Sequence, residues 1–318
     1  MNPYTRTFHL QQHTPIIHFQ YKDEGATLRA TELKPKLDQF IYQHADNIPP
    51  GWKVGRGKGE HPALNYKVKI RLTGKYLYEV IKQQGDKDIP TFFANMGDKY
   101  NYNKKALVET DKPLVVEFTS IQTDLLDEVE KHFPAFIAQT NFGTRQNKGF
   151  GSFGLWSEKT QSVIDPGEDL NGAMHLSPTR VRDFHDILTI INYYHQRLKS
   201  GINYRDHYHK SFLFIYINDQ HSTPYSWEKR WIKEHFISRR IAPNKKEERF
   251  ARGLLGLPGS FLYNPPSRHA KKEYPPYPEK NVPIEISDPQ EKVSRIKSPV
   301  TYKPVRIGNS WKIYLIPY

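Results

Sequence analysis

Residues 113–156 constrain the fold more than any other stretch, because their hydrophobic pattern changes period twice. Residues 113–120 are rich in the β-branched and aromatic residues typical of a strand. Thr123 is suited to cap a following helix, whose apolar side chains recur at helical spacing at Leu125, Leu126, Val129, Phe133 and Phe136. A glycine-rich loop at 141–154 then leads into another strand at 151–156. This order predicts a βαβ unit of a ferredoxin-like domain.

The rest of the chain mixes strands and helices in the same way, with long polar and proline-rich connections. We predict strands at 4–12, 67–72, 211–217 and on both sides of a Gly308-Asn309 turn, and helices from about Thr31 and at 77–81, 178–199 and 227–240. Residues 243–292 are interpreted as a proline-rich, irregular insertion. The predicted fold class is α+β, with two ferredoxin-like modules and long irregular insertions. The predicted domains are 1–157, which carries the glycine-rich loop, and 158–318, which carries the insertion.

The glycine-rich loop, Asn141 to Gly154, combines four glycines with Arg145, Lys148 and three phenylalanines. Glycine lets backbone amides approach a ligand closely, and cations suit phosphate. The phenylalanines can either pack inward or offer a ring face to a base. One interpretation is a loop that holds a nucleic-acid backbone. The alternative is an ordinary glycine-rich turn that its aromatic residues attach to a core.

Further cations accompany predicted element ends. Arg29, Lys34 and Lys36 surround the start of the first helix, where free amides and the helix dipole favour an anion. Arg180 and Arg182 open the predicted 178–199 helix, either as a phosphate clamp or as solvent-exposed side chains. The alternation in 67–72 makes the outer face of that strand wholly cationic.

The overall charge points to a polyanionic partner. Of the 318 residues, Lys and Arg account for 47 and Asp and Glu for 34, which gives a formal net charge of +13. The absence of cysteine excludes disulfides, thiol nucleophiles and thiolate zinc sites. No apolar run reaches the length that a membrane span needs, so we expect a soluble, cytoplasmic protein without a membrane partner.

Three separated motifs carry a family resemblance. His13-Thr14-Pro15-Ile16-Ile17 precedes the basic helix entrance at 28–34, residues 142–152 place Gly-Phe-Gly-Ser after a basic run, and residues 294–300 contain Arg-Ile-Lys-Ser-Pro. In this order they resemble the RAMP superfamily of CRISPR proteins, most closely the first Cmr-type subunit of type III-B effector complexes. The proline-rich segment at 260–292 has no counterpart in that pattern.

The resemblance implies a non-catalytic RNA-binding subunit of an antiviral ribonucleoprotein. Such subunits hold guide RNA, target RNA or both through backbone contacts, while base pairing determines sequence specificity. The expected partners are therefore guide or target RNA and other Cmr-type subunits, with no cofactor and no metal. The RNA-binding residues predicted from motifs and helix ends together are Arg29, Lys34, Lys36, Arg145, Lys148, Gly149, Phe150, Gly151, Arg180, Arg182, Arg295 and Lys297.

Two catalytic alternatives and one structural alternative stay open. Guide-processing endoribonucleases of the superfamily use metal-free acid–base chemistry, often with a histidine, and His9, His13 and His18 lie near the first strand. Other members cleave target RNA with a loop aspartate and a metal, for which Asp23, Asp165 and Asp169 are candidates. A protein-only scaffold, whose charge serves subunit docking, is the third alternative.

Overall fold

The computed structural model describes residues 2–18, 20–23, 27–54, 61–80, 106–167, 169–170, 173–204, 207–220, 260–263, 282–285 and 298–317. The helices within these ranges are α1 (Ala30–His44), α2 (Thr123–Gln139), α3 (Phe184–Lys199) and α4 (Phe212–Gln220). The strands are β1 (Thr5–Gln12), β2 (Ile16–His18), β3 (Lys53–Val54), β4 (Ala63–Leu64), β5 (Lys67–Arg71), β6 (Tyr76–Val80), β7 (Ala106–Thr110), β8 (Leu114–Thr119), β9 (Phe153–Ser157), β10 (Ser162–Val163), β11 (Met174–Leu176), β12 (Ile202–Tyr204), β13 (His207–His209), β14 (Ser260–Tyr263), β15 (Val282–Glu285), β16 (Val300–Ile307) and β17 (Ser310–Pro317).

The largest sheet has the strand order β10-β9-β1-β8-β5. Strand β1 pairs antiparallel with both β8 and β9, and β8 pairs antiparallel with β5. Helix α1 lies between β1 and β5 in the chain, and α2 lies between β8 and β9. Two interlocked βαβ crossovers in this spatial order are the ferredoxin-like arrangement, which confirms the predicted α+β class.

The sequence pattern explains why one face of this sheet is covered by helices. Phe8 of β1 and Phe118 of β8 both contact Phe133 of α2, with ring centroids 4.5 and 5.0 Å away. Val68 and Ile70 of β5 pack against the same core. Because strand side chains alternate in direction, the residues between these positions lie on the opposite face.

Smaller sheets complete the described structure. Strands β2, β7 and β6 form one three-stranded sheet in the order β2-β7-β6, and β11, β17 and β16 form another in the order β11-β17-β16. The predicted closing strands are confirmed as β16 and β17, joined at Gly308 with φ +58°. Strands β3–β4, β12–β13 and β14–β15 form two-stranded pairs. The β14–β15 pair lies within the segment predicted to be irregular.

Packing divides the chain into two compact units, residues 1–192 with 301–318, and residues 193–300. The first unit contains the ferredoxin-like module and the two three-stranded sheets. The described part of the second contains the end of α3, helix α4 and the pairs β12–β13 and β14–β15. The division at residue 157 stays a prediction, and the helix predicted at 227–240 lies outside the described residues.

Two predicted elements are wrong in type. Residues predicted as a helix from Leu77 belong to β6, which pairs with β7 across a long connection that no local pattern reveals. The apolar run predicted as a buried strand at 211–217 is instead α4. Ser211 Oγ accepts a hydrogen bond from Phe214 N at 3.2 Å, a helix-cap interaction.

Two predicted helix starts also differ from the structure. Helix α3 begins at Phe184 rather than near residue 178, because Asp183 Oδ1 accepts hydrogen bonds from the amides of His185 (2.9 Å) and Asp186 (3.2 Å). Helix α2 includes Thr123 as its first residue. The N-cap position is therefore Gln122, whose side chain makes no cap hydrogen bond, and the prediction that Thr123 caps the helix is wrong.

Candidate nucleic-acid interface

The glycine-rich loop connects α2 to β9 and is held by hydrogen bonds from several segments. A turn forms where Lys148 N donates to Arg145 O at 2.8 Å and Gly149 N donates to Gln146 O at 3.1 Å. Tyr302 N, on β16, donates to Asn147 O at 3.1 Å. The loop backbone is therefore built into the fold instead of projecting from it.

The phenylalanines of the loop pack inward. Phe142, Phe150 and Phe153 are fully buried, and the Phe142 and Phe153 rings meet edge to face at 6.0 Å. Of the two interpretations left open by the sequence, the structure selects inward packing for these side chains. Phe150 thus supports the loop, and its ring offers no face to a base.

Two glycines of the loop are required by packing. Gly149 and Gly151 have φ of +85° and +64°. A Cβ on Gly149 would lie 2.7 Å from Ile191 Cδ1, and one on Gly151 would overlap the Phe142 carbonyl. Their amides also donate inside the protein, Gly149 N to Gln146 O and Gly151 N to Pro15 O at 2.9 Å. The glycines shape the loop, and these two amides do not point outward to a ligand.

Two buried polar side chains hold the loop against its neighbours. Thr14 Oγ1 donates to Gly149 O at 2.6 Å and accepts from Ser152 N at 3.0 Å. Asn141 Nδ2 donates to Gln146 O at 2.7 Å and to Tyr302 O at 2.8 Å. The Thr-Pro motif near residue 14 is therefore the structural partner of the loop, a role that the motif spacing alone did not reveal.

Lys36 connects α1 to this loop. Its ammonium donates three hydrogen bonds, to Glu32 Oε1 (2.8 Å), Asn141 O (3.1 Å) and Gln146 Oε1 (2.6 Å). It also lies 4.9 Å from the centroid of the Phe142 ring. All three ammonium protons have protein acceptors, so Lys36 stabilises the loop in this conformation.

Lys34 is similarly engaged on the neighbouring side of α1. Its ammonium donates to Asp38 Oδ2 at 2.7 Å and to Leu64 O at 2.9 Å, and lies 4.1 Å from the Tyr66 ring centroid. Arg29 precedes α1 and donates from Nε to His18 Nε2 at 2.8 Å, with a further bond from Nη2 to Gln20 Oε1. The three cations at the helix entrance thus contact protein acceptors.

Lys303, on β16, is a structural residue that the sequence analysis did not identify. It is fully buried, and its ammonium donates to Ile137 O (2.7 Å), Thr140 O (2.8 Å) and Phe153 O (2.8 Å). Burial lowers the pKa of Lys303, whereas its three carbonyl acceptors, two at the C-terminal end of α2 and one on β9, favour the ammonium form. This side chain joins α2, the loop and β9.

Arg145 and Lys148 lie on the rim of the loop and are partly exposed. Arg145 has φ of +61°, a left-handed conformation that is costly for any residue with a Cβ. Glycine or asparagine would adopt it more readily. An arginine in this conformation is a reason to infer a role for its side chain.

Arg180 and Arg182 lie in the extended segment before α3. Arg180 is exposed and also has a positive φ, +61°. Arg182 pairs with Asp186, with Nε 3.2 Å from Oδ2. Asp183 already accepts from two amides of the first turn of α3, and the Asp186 carboxylate accepts from Arg182 N just before it, so this helix end is a poor anion site.

The candidate catalytic histidines lie in different environments. His13 is buried, and burial, with smaller effects of Lys303 and Arg306, lowers the pKa of its imidazole to about 3. Burial followed by the Arg29 charge lowers the pKa of His18. His9 is partly exposed and lies 3.3 Å from Glu158. A neutral, enclosed imidazole such as that of His13 is poorly matched to proton transfer near pH 7.

The candidate aspartates are dispersed. Asp165 pairs with Lys312 at 2.8 Å and also accepts from Gly167 N; burial acts to raise its pKa, but the bonds with Lys312 lower it overall. Asp23 and Asp169 lie on the surface. Among the described residues, no group of three or more histidine or acidic side chains could hold a metal ion.

The structure brings five of the predicted residues together: Arg145, Lys148, Gly149, Phe150 and Gly151. Lys36 joins them through its contacts with Asn141 and Gln146. Arg180 and Arg182 lie outside the loop, in the segment before α3. Arg295 and Lys297 lie outside the described residues. In the part of the chain that the structure describes, no helix is both long and apolar enough to span a membrane.

The strand order is that of a ferredoxin-like module, and the family models that match the chain are those of a RAMP subunit of CRISPR effector complexes. Residues 3–202 match the family model of the Cmr1 N-terminal domain, and residues 208–318 match that of the Cmr1 C-terminal domain. The chain therefore belongs to the Cmr1 family and is a RAMP subunit of type III-B, so it is part of a multi-subunit Cmr effector complex. No curated protein matches it.

Proposed function

We propose that this chain is a non-catalytic RNA-binding subunit of the Cmr effector, which holds guide RNA, target RNA or both through their backbones. Family membership supports a place in the effector complex. The net charge of +13 supports a polyanionic partner. Contacts with phosphates carry no sequence information, which suits a complex in which base pairing identifies the target.

The conformation of the glycine-rich loop is the observation that carries this proposal. The turn from Arg145 to Lys148 is fixed from behind by buried phenylalanines and by the hydrogen bonds of Thr14 and Asn141. A rigid turn holds its cations in place before RNA arrives, so less conformational entropy is lost on binding. Because glycine or asparagine would fit this backbone conformation better, the positive φ of Arg145 supports a role for its side chain.

The supporting residues act indirectly in this proposal. Gly149, Phe150, Gly151 and Lys36 shape the loop, and the rim cations contact phosphate. Arg29, Arg180 and Arg182 stay candidate RNA contacts outside the loop, and of these Arg29 and Arg182 already bind protein groups in this structure.

The double substitution Arg145→Ala with Lys148→Ala tests the proposal. Loss of two phosphate contacts should lower RNA affinity about tenfold and reduce the slope of log K against log salt by about 1.4. The loss should be equal for unrelated RNA sequences, because the contacts are to the backbone. Fluorescence anisotropy with labelled single-stranded RNAs at several salt concentrations measures both quantities.

A matched control removes the same charge elsewhere. Lys53 and Lys131 are exposed and lie outside the loop, so Lys53→Ala with Lys131→Ala should change affinity less than twofold. Equal losses in both double variants would mean that only net charge matters. An unchanged binding curve for the loop variant, with normal folding by circular dichroism, would refute the assignment. Site-specific cleavage of repeat RNA by the chain in EDTA would instead support the endoribonuclease alternative.

A further inference from the structure

The ferredoxin-like sheet has a second face, opposite α1 and α2. Cα register across the five strands identifies its side chains, because residues paired in antiparallel strands share a face. One row across the sheet contains Lys69 of β5, Glu117 of β8 and Thr7 of β1. Two residues further along β1, His9 lies opposite Trp156 of β9 on the same face. The helix-facing positions, such as Phe8 and Phe118, are on the other side. None of these side chains of the open face is among the loop contacts described above.

One edge of the open face is a row of cations. Lys67, Lys69 and Arg71 of β5 are exposed, and Val68 and Ile70 between them point to the core. Alternate residues of a strand are about 6.6 Å apart, a spacing comparable to that of successive phosphates in an extended single strand. Strand β5 is the last strand of this sheet among the described residues, so no described strand lies beyond this row.

Beyond the cationic row the face is mostly polar, with the buried Val115 between Arg71 and His9, and Trp156 lies at its far side. Thr119 of β8 lies beside the cationic row, Thr5 and Thr7 of β1 lie one strand further, and Thr7 and Thr119 are exposed. Trp156 on β9 is partly exposed and lies opposite His9 on β1. From β5 to β9 the face spans three strand spacings, about 14 Å, which a few nucleotides can cross.

We propose that this open face binds single-stranded RNA, with phosphates along Lys67, Lys69 and Arg71 and a base stacked on Trp156. Cations that follow a backbone, combined with an aromatic platform, are the usual means of holding single strands without sequence preference. The inference deepens the proposed function, because it names single-stranded RNA as the ligand and assigns a second surface to it. It does not depend on Arg145 or Lys148.

Glu117 places a negative charge among the cations of this face. Its carboxylate lies 3.7 Å from Arg71 and directly opposite Lys69 in the register, in the middle of the face. It offsets part of the positive charge and would repel a phosphate. Removing this carboxylate should therefore strengthen RNA binding. If the cations of β5 only protected the sheet edge from pairing with another strand, no such effect would be expected.

The test compares charge-removing variants of the full chain with an unstructured oligouridine as probe. Lys67→Gln, Lys69→Gln and Arg71→Gln together should lower affinity at least tenfold and reduce the salt slope by about 2. The control Lys22→Gln, Lys53→Gln and Lys131→Gln removes the same charge at exposed positions elsewhere, and should change affinity less than twofold.

Two single variants give signatures that charge alone cannot produce. Trp156→Ala should lower affinity about tenfold while leaving the salt slope unchanged, because stacking releases no counterions. Glu117→Gln should raise affinity two- to fivefold. These variants also keep the proposal testable if the triple variant aggregates through its uncharged edge.

The results separate this surface from the loop. Loss of affinity in the β5 triple variant, with no loss in the loop double variant, supports the open face and refutes the loop. The reverse result refutes the open face. Unchanged affinity in both Trp156→Ala and Glu117→Gln overturns the proposal. It is also overturned if the wild-type chain binds polyglutamate as tightly as oligouridine and only the β5 triple variant abolishes that binding. Such a result would identify an acidic protein as the partner of this surface.

Discussion

Lys303, behind the glycine-rich loop, and Arg145, on its rim, show two opposite uses of a cation within one small region. Lys303 is fully buried and donates to three carbonyls from α2, the α2–loop junction and β9. Arg145 is partly exposed on a turn with a positive φ. The first cation holds the loop together, and the second is held in position by it.

The difference lies in the acceptors that each cation meets. A helix end leaves carbonyls without partners, and a buried ammonium with three protons can satisfy three of them. Lys36 is intermediate, since it is partly exposed yet all three of its protons have acceptors. The net charge of a segment therefore does not tell which of its cations contact RNA.

Lys303→Met tests the structural side of the comparison and should have the largest effect. The substitution keeps the length of the side chain but leaves three carbonyls without a donor, so unfolding free energy should fall by about 3 kcal/mol. Urea denaturation followed by circular dichroism measures it. The salt slope of RNA binding should be unchanged under conditions where the variant is folded, because Lys303 cannot reach solvent.

Lys312→Met on the adjacent strand β17 is the control for that experiment. Lys312 forms a surface ion pair with Asp165, so its loss should cost less than about 1 kcal/mol. A comparable loss of stability in the two variants would show that burial of Lys303 contributes nothing special, and the contrast with Arg145 would fail.

The second prediction concerns pH, and His13 is the group involved. The pKa of His13 is lowered to about 3 in the folded chain, from an ordinary value of 6.5, chiefly by burial. Between these values the unfolded chain binds one more proton, so stability falls as pH decreases from about 6.5, by up to about 1.4 kcal/mol per pH unit. His13→Asn should remove this contribution, because its amide does not titrate.

The difference between the stability curves of wild-type protein and His13→Asn, measured from pH 7 to pH 4, isolates that contribution from the carboxylates common to both. His175→Asn, at an exposed position, is the control for the His-to-Asn substitution itself. Parallel curves for wild type and His13→Asn would show that His13 titrates normally and is accessible, which would return it to the list of catalytic candidates.

The sequence was sufficient where local pattern determines structure. The alternation of Lys67–Arg71 and the periodicity of α2 predicted their elements, and the order of β8, α2 and β9 predicted a βαβ unit of a ferredoxin-like domain. Leu77–Val80 were misassigned because β6 depends on pairing with β7, a long-range interaction. The run after Ser211 is a short apolar stretch, which periodicity cannot assign to strand or helix.

The candidate site was predicted less completely than the fold. The motifs located the loop, but they did not separate side chains that support it from those on its rim. Phe150 and Lys36 resemble ligand contacts in the sequence, and only three-dimensional packing shows that one is buried and the other is fully hydrogen-bonded. Lys303 was missed because a lysine on a strand is usually exposed, and its acceptors lie about 150 residues or more away in the chain.

The smallest expected effect on stability comes from Arg145, and it sharpens the comparison with Lys303. Arg145→Gly relieves the left-handed conformation but makes the unfolded chain more flexible, so unfolding free energy should stay within about 1 kcal/mol of wild type. Arg145→Ala keeps the strain and should be about 1 kcal/mol less stable than the glycine variant.

Both Arg145 variants should lose the same RNA affinity, about three- to fivefold, because each removes the guanidinium. Equal affinity losses with different stabilities would separate RNA contact from loop integrity, which no single substitution can do. If Arg145→Gly were instead destabilised as strongly as Lys303→Met, the arginine would be part of the frame. Of the two rim cations, Lys148 would then remain as the proposed RNA contact, and the contrast between the two regions would disappear.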